Sequence, residues 1–188
     1  MEELPHEHLE HAEEAHHAVE LGDGFMMKVS ATIAALAVVA AIIASFETVE
    51  TSHAIADKNE AVLKQAQASD QWAFYQAKSL KQKILEIAAI TTAARTEEFR
   101  LEARRHEDES ADIARKAREL EQERDEKLAA GAVHERRHQR LTYAATLVHV
   151  SIAICTIAII TRGKRWPWYT AIGLGLVGML GAASTYLV

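Results

Sequence analysis

Three windows of the chain hold most of its large apolar residues, and no Asp, Glu, Lys or Arg occurs in any of them. They are residues 29–46, residues 141–160 and residues 168–188. A helix needs ~20 apolar residues to cross the ~30 Å hydrocarbon core of a bilayer, and each window is close to that length. The pattern therefore predicts three transmembrane helices, in preference to three buried core helices of a soluble protein.

The first window has a second interpretation, which is a cleaved signal peptide. A signal peptide needs a short basic flank before its apolar stretch. Residues 1–28 instead carry eight acidic residues and one lysine. We therefore interpret residues 29–46 as a membrane anchor and residues 1–28 as an acidic, histidine-rich tail.

The segment between the first two windows, residues 47–140, has the composition of a long helical hairpin. It contains no Gly or Pro from Glu47 to Ala130 and is rich in Ala, Glu, Lys, Arg and Gln, which are good helix formers. Thr96 precedes two acidic residues, which is typical of a helix N-cap and first turn. These features predict a turn at about residues 91–97, between two coiled-coil-like arms, and Gly131 predicts the end of the second arm.

Small and apolar residues recur along both arms in steps of three or four, which is the spacing of one helix face. The predicted outgoing stripe also repeats at eleven residues, which is typical of a nearly straight or slightly right-handed stripe. The outgoing stripe comprises Val62, Ala66, Ser69, Ala73, Ala77, Leu80, Ile84, Ile87, Thr91 and Ala94. The weaker returning stripe comprises Phe99, Ala103, Ser110, Ile113, Ala117, Leu120 and Leu128. The predicted fold is all-α.

The short loop between the second and third windows, residues 161–167, carries three positive charges. By the positive-inside rule this loop and the N-terminus are expected in the cytoplasm, with residues 47–140 on the other side of the membrane. Arg136, Arg137 and Arg140 argue for the opposite orientation. They border a segment that is too long to count strongly in that rule.

The distribution of charge excludes several classes of function. The net charge of −6 resides almost wholly in the tail, and residues 50–140 carry 18 acidic and 17 basic residues. Such a balanced segment has no electrostatic reason to bind nucleic acid. Cys155 is the single cysteine of the chain, so no disulfide framework exists. No catalytic constellation is present, and we expect a protein without enzymatic activity or a cofactor.

The third window contains small residues four apart, at Ala171 and Gly175 and again at Gly178 and Ala182. Such pairs allow neighbouring membrane helices to approach closely. The stretch GLGLVG also matches the dinucleotide-binding fingerprint, but that motif requires a preceding strand. We interpret the four residues as helix-packing positions.

Polar groups in or beside the windows suggest an ion pathway as a second hypothesis. His149 lies inside the second window, where an ionisable residue is a functional candidate by default. Glu47 and Glu50 follow the first window and could form an acidic ring at the mouth of an oligomeric pore. The simpler interpretation is a neutral histidine bonded to a neighbouring helix and an ordinary polar exit from the membrane.

The tail contains five histidines, at His6, His8, His11, His16 and His17. Their spacing does not match a zinc-protease motif, because Glu10 stands where a histidine would be needed. Weak binding of a transition metal, or a response to pH, is a third hypothesis. The alternative is a solvated acidic tail.

Aromatic residues interrupt the first arm at Trp72, Phe74 and Tyr75, between Gln71 and Gln76. Trp72 and Tyr75 share one helix face and Phe74 lies on another. Aromatics on two faces suggest two partners, the returning arm on one side and another subunit on the other, and we expect the five residues to form an interface. The alternative is that all three aromatics pack within one hairpin.

The stretch NEAVLKQAQASDQWAFYQAKSLK, residues 59–81, resembles the signature segment of the bacterial domain-of-unknown-function family 4337. The resemblance extends over nearly the whole chain. It implies a bacterial multi-pass membrane protein and supplies no activity. The first hypothesis is therefore a self-assembling membrane scaffold, whose partners are the lipid bilayer, further copies of the chain and another membrane protein.

Overall fold

The computed structural model describes residues 24–161 and 164–187. Within these residues the chain is all-α, as predicted, and none of them lies in a β-strand. Helix α1 spans Gly24–Thr91, helix α2 spans Thr96–Ile160 and helix α3 spans Trp166–Ser184. A short 3-10 turn, Ala93–Arg95, separates α1 from α2.

The chain divides into two compact units, which share the two long helices. Unit 1 comprises Met1–His53 and Val133–Val188, so its described part contains the beginning of α1, the end of α2 and all of α3. Unit 2 comprises Ala54–Ala132, which is the remainder of α1 and α2 with the turn between them.

Two of the described helices, α1 and α2, are long and apolar enough to cross a membrane. The sequence predicted a third span in the last window, but α3 is less apolar than the best stretches of α1 and α2 and is not a candidate span by this measure. It has 19 residues, begins with Trp-Pro-Trp-Tyr and contains four glycines. These residues contribute little hydropathy, so the structure supports two candidate spans by length and composition.

The core of unit 1 is formed where α1, α2 and α3 meet. The buried apolar side chains of α1 are Val29, Ile33, Leu36, Ala40 and Ile43, and those of α2 are Leu141, Ala145, Val148, Ile152, Cys155 and Ala158. Ala171 of α3 is fully buried against them. At the start of α3, Trp168 Nε1 donates a hydrogen bond to Thr32 Oγ1 at 3.0 Å. The third helix is therefore an integral part of this core.

In unit 2 the two helices run antiparallel, because their paired residue numbers change in opposite directions. The cross-helix contacts are Lys127 Nζ to Glu60 Oε2 at 2.8 Å, Lys64 Nζ to Glu123 Oε2 at 2.5 Å, Trp72 Nε1 to Glu121 Oε1 at 2.9 Å and Lys78 Nζ to Glu109 Oε2 at 2.6 Å. This arrangement is compatible with the predicted hairpin.

Small residues spaced by seven or a multiple of seven form the contact face between these helices, which we call the seam. On α1 the seam contains Ala54, Ala61, Ala68 and Ala89, and on α2 it contains Ala103, Ser110, Ala117 and Gly131, all of them buried. A seven-residue repeat is the signature of left-handed coiled-coil pairing. Small seam residues favour an interaxial distance at the lower end of the usual ~8–10 Å range.

The predicted outgoing stripe is not the face of α1 that packs on α2. All ten of its members are exposed, whereas the returning stripe is buried or half-buried except for Leu128. The spacing of apolar residues in the sequence selected the α1 face that carries the large aliphatic side chains. Packing instead uses the face on which small residues let α2 approach, and long polar side chains close its edges.

Two local predictions were also wrong. Thr96 has helical backbone angles, and its hydroxyl donates to the Thr92 carbonyl at 3.3 Å, so it does not act as an N-cap. Gly131 does not end the helix, since α2 continues to Ile160. A Cβ on Gly131 would lie 3.4 Å from Asp57 Cβ and 3.5 Å from the Ala54 carbonyl oxygen. This glycine is explained by close approach of α1.

Candidate functional site

The predicted packing residues of the third window lie at the contact of α3 with the rest of unit 1. Ala171, Gly175 and Gly178 are buried and Ala182 is half-buried. A Cβ on Gly175 would lie 2.6 Å from Leu36 Cδ2 of α1. Ser151 of α2 donates a hydrogen bond to the Ala171 carbonyl at 2.5 Å. Helix α3 thus contacts both long helices through its small residues.

A group of acidic, histidine and hydroxyl side chains joins the same three helices where the apolar core of unit 1 ends. We call it the Glu–His cluster. Its members are Glu47, Glu50 and Thr51 of α1, His134, His138 and Thr142 of α2, and Tyr186, which follows α3. Helical spacing places Glu47 and Glu50 on one side of α1, and places His134, His138 and Thr142 on one side of α2. The two faces therefore meet as continuous polar surfaces.

Glu50 is the centre of this cluster, with 4% of its surface exposed. His134 Nδ1 lies 2.6 Å from Glu50 Oε2, and the Tyr186 hydroxyl donates to Glu50 Oε1 at 2.9 Å. Burial raises the pKa of the Glu50 carboxyl, but the hydrogen bonds from His134 and Tyr186 and the charges of His134 and Arg137 outweigh it. The pKa of Glu50 therefore lies below its ordinary value, and the buried carboxylate is ionised and accepts both hydrogen bonds.

Glu47 forms the second half of the cluster. Thr142 Oγ1 donates to Glu47 Oε1 at 2.5 Å, and His138 Nδ1 lies 3.7 Å from the same oxygen. His138 Nδ1 also lies 2.9 Å from Thr51 Oγ1. Both carboxylates of the predicted acidic ring thus bond to side chains of α2.

Further rings extend the cluster. The His53 and His134 rings stack with centroids 5.1 Å apart. The Arg137 guanidinium carbon lies 5.6 Å from the centroid of the Tyr186 ring. Chemically, such a set of carboxylates and imidazoles can bind and release protons and can hold three helices together.

The structure does not bring His149 into this cluster. His149 lies on the exposed surface of α2, two helical turns beyond Thr142. Glu47 and Glu50 face the interior of unit 1, where their oxygens accept the hydrogen bonds already described. The ion pathway proposed for an oligomer stays a prediction, with His149 on the outer surface of unit 1 and the two glutamates in its interior.

The described residues offer no metal site. No group of three or more His, Cys, Asp or Glu among residues 24–161 and 164–187 is placed to hold a metal ion. The five tail histidines, His6, His8, His11, His16 and His17, lie outside the described residues, so the metal hypothesis for the tail stays a prediction.

The predicted aromatic interface lies in unit 2, and its members divide between two surfaces. Trp72 and Tyr75 are half-buried, pack edge to face with ring centroids 5.6 Å apart, and Trp72 donates to Glu121 of α2. Phe74 is 51% exposed, with Lys78 Nζ 5.5 Å from its ring centroid. Gln71 is half-buried and Gln76 is exposed.

Several cluster residues were missed at the sequence level, namely His53, His134, His138 and Tyr186. A signal for two of them was present, because His134 and His138 are four residues apart just before an apolar window. Glu47 and Glu50 have a matching position just after another window. Two polar helix faces that border apolar windows at the same depth are candidates for contact.

Comparison with known families gives one broad match. The family model described as Domain of unknown function (DUF4337) matches residues 25–188. No curated protein and no solved structure matches the chain.

Proposed function

The chain belongs to the DUF4337 family, whose description names no activity, and we propose that it is a non-enzymatic integral membrane protein. It self-assembles through its helical hairpin and its spans, and it acts as a scaffold or component of a bacterial membrane complex. The exposed apolar stripe on α1 of unit 2 is the observation that carries this proposal.

The stripe is a row of large and small apolar side chains with no partner helix in unit 2. Val62, Leu80, Ile84 and Ile87 are 70%, 61%, 57% and 62% exposed, and small residues fill the positions between them. Contiguous exposed apolar surface on a soluble segment marks an interaction site. The seam already binds α2, so the hairpin cannot bury the stripe by itself.

A second copy of the chain is the occupant that fits this stripe. An eleven-residue repeat keeps the stripe on one face of a nearly straight helix. Residues 62–91 extend ~40 Å at 1.5 Å per residue. Copies anchored in one bilayer share one polarity, and rotation about the membrane normal can bring the same stripe of two copies face to face. Phe74 borders the stripe and supplies an aromatic anchor of the kind that dominates interfaces.

We propose that all three helices of unit 1 cross the membrane. Helices α1 and α2 are the candidate spans. Helix α3 packs on both through Gly175 and Gly178, and it begins with Trp168 and Tyr169, residues that favour the interface of a bilayer. In this topology the N-terminus and residues 161–167 are cytoplasmic and unit 2 is outside.

Accessibility of single cysteines tests this topology. Cys155→Ser removes the native thiol, after which Lys164→Cys and Glu102→Cys are introduced one at a time. A membrane-impermeant maleimide added to intact cells should label position 102 and leave position 164 unlabelled until the membrane is broken. Labelling of position 164 but not position 102 in intact cells would show the opposite orientation. Labelling of both positions in intact cells would exclude a single span between them.

Self-assembly is tested by native mass spectrometry of the full chain released from nanodiscs. The wild type should give a defined oligomer, and the double variant Leu80→Glu/Ile84→Glu should give monomers, because two buried carboxylates would face each partner. The matched control is Leu101→Glu/Leu128→Glu, which changes two exposed leucines of α2 and should keep the oligomer. A monomeric wild type would contradict the proposal, and so would a Leu80→Glu/Ile84→Glu variant that remains oligomeric.

A further inference from the structure

An apolar groove of about 350 Å³ opens on the surface of unit 1, between α1 and the end of α3. Its walls are Val39, Ile43 and Phe46 of α1, Leu141 of α2, and Met179 and Tyr186 at the end of the chain. From Val39 to Phe46 the groove follows α1 for ~10 Å at 1.5 Å per residue. The Phe46 and Tyr186 rings, 5.9 Å apart, stand at one end of it.

A positive charge stands beside the same end. The Arg137 guanidinium lies over the Tyr186 ring, one helical turn before Leu141 on α2. Arg136 and Arg140 are exposed on the adjacent surface. The two carboxylates nearby, Glu47 and Glu50, already accept hydrogen bonds from Thr142, His134 and Tyr186.

An apolar channel that ends at arginine has the chemistry of one class of ligand. Its walls suit a hydrocarbon chain, and the positive charge of a guanidinium favours a phosphate whose negative charge is not balanced by a cation in the same headgroup. The ring end coincides with the predicted membrane boundary, because Phe46 ends the first apolar window and Leu141 begins the second. We propose that unit 1 binds an anionic phospholipid, with one acyl chain in the groove and the headgroup phosphate at Arg137.

This inference rests on the proposed membrane location and is independent of self-assembly. The test uses the full chain, purified in mild detergent and stripped of lipid. Phosphatidylglycerol or phosphatidylcholine with the same dioleoyl chains is added at equal concentration, and bound lipids are counted by native mass spectrometry. A basic residue near a membrane surface contributes ~1 kcal/mol toward anionic lipid, so we expect about fivefold greater retention of phosphatidylglycerol.

Two pairs of variants separate the headgroup site from the acyl groove. Arg137→Gln should abolish the preference for phosphatidylglycerol, Arg137→Lys should keep most of it, and Arg118→Gln in unit 2 should leave it unchanged. Ala183→Leu fills the groove and should reduce retention of both lipids. Ala153→Leu, at an exposed position of α2, is its control.

Each contrary result has a distinct meaning. Equal retention of the two lipids, or an unchanged preference in Arg137→Gln, would overturn the headgroup site. Unchanged lipid retention in Ala183→Leu would overturn the acyl groove. If that variant also changed the oligomeric mass, the groove would be the binding site of a second copy of the chain. Failure of the chain to remain with vesicles after carbonate extraction would instead overturn the membrane location.

Discussion

Gly173, Gly175 and Gly178 lie within two turns of α3, but their surroundings differ. A Cβ on Gly173 would meet nothing within 4 Å. A Cβ on Gly175 would lie 2.6 Å from Leu36 Cδ2 and 3.1 Å from Ser151 Oγ, both of them side-chain atoms. A Cβ on Gly178 would lie 3.0 Å from the Ala144 carbonyl oxygen and 2.9 Å from Val148 Cγ2. Backbone cannot yield as a side chain does, so Gly178 is the most restrictive of the three.

Gly178→Ala should therefore destabilise the full chain by ~1–3 kcal/mol through overpacking. Gly173→Ala should be neutral or stabilising, because alanine has the higher helix propensity by ~1 kcal/mol. The measurement is loss of the helical circular-dichroism signal on heating in one detergent. Equal melting temperatures for the two variants would mean that α3 does not approach α2 closely at Gly178.

Residue-level reasoning from the sequence reached some of these positions and missed others for a physical reason. Small residues four apart carry their own signal, so Gly175 and Gly178 were predictable as packing positions. The partners of Glu50 were not, because His134 and Tyr186 are 84 and 136 positions away in the chain. Their meeting depends on the register between helices, which no local pattern specifies.

At the scale of helices, the seam of unit 2 shows why periodicity alone misled on α1. Large aliphatic residues are the usual marker of a buried face. In the unit 2 part of α1 the stripe that carries Val62, Leu80, Ile84 and Ile87 is exposed, and the buried seam uses alanines flanked by residues such as Lys64 and Lys78. The returning stripe was predicted correctly because Ile113 and Leu120 happen to flank the small residues of α2.

Ala117 gives a direct test of the seam. It is fully buried, so Ala117→Leu would force three extra carbon atoms between the two helices and should cost ~1–3 kcal/mol. Ala129→Leu, at an exposed position of the same helix, should change stability by less than ~0.5 kcal/mol. The measurement is the free energy of unfolding of both variants and the wild type in guanidinium. Tolerance of leucine at 117 would show that α1 and α2 are farther apart than the seam requires.

At the scale of the whole molecule, stability in acid should depend on carboxylates in both units. Glu50 in unit 1 and Glu60, Glu98 and Glu109 in unit 2 all have pKa values below the ordinary one. For Glu109 the hydrogen bond from Lys78, aided by one from Arg105, lowers the pKa from 4.5 to about 2. A lowered pKa in the folded state stabilises the fold above the unfolded-state value, and that stabilisation is lost as pH falls through the folded-state value.

Glu109→Gln should therefore lose stability less steeply than the wild type between pH 4.5 and about 2, because glutamine has no proton to bind. Above pH 4.5 the variant should be the less stable of the two. The measurement is the free energy of unfolding at a series of pH values across this window. Glu107→Gln, at an exposed neighbouring position, should follow the wild-type curve, and identical curves for all three proteins would refute the Lys78–Glu109 contribution.

The architecture as a whole was largely accessible from the sequence. Composition and hydropathy predicted an all-α chain, and the apolar windows at residues 29–46 and 141–160 lie within α1 and α2. Whether the third window spans the membrane was harder to predict, because hydropathy measures transfer into lipid and takes no account of glycines that contact neighbouring helices. A helix such as α3, with both lipid-facing and closely packed sides, lies at the limit of such a measure.

Because the seam repeats small residues at heptad positions from Ala54 to Ala68 and from Ala103 to Ala117, the length of the paired helices can vary there in steps of seven residues. Ala61 and Ala68 on α1, like Ser110 and Ala117 on α2, occupy equivalent heptad places, so removal of one heptad from each helix at facing positions would restore the seam contacts on both sides of the deletion. Removal from one helix alone would bring the cross-helix ion pairs out of register. The seam thus restricts changes in helix length to multiples of seven residues, and relatives of different length would be expected to differ by matched heptads in both helices.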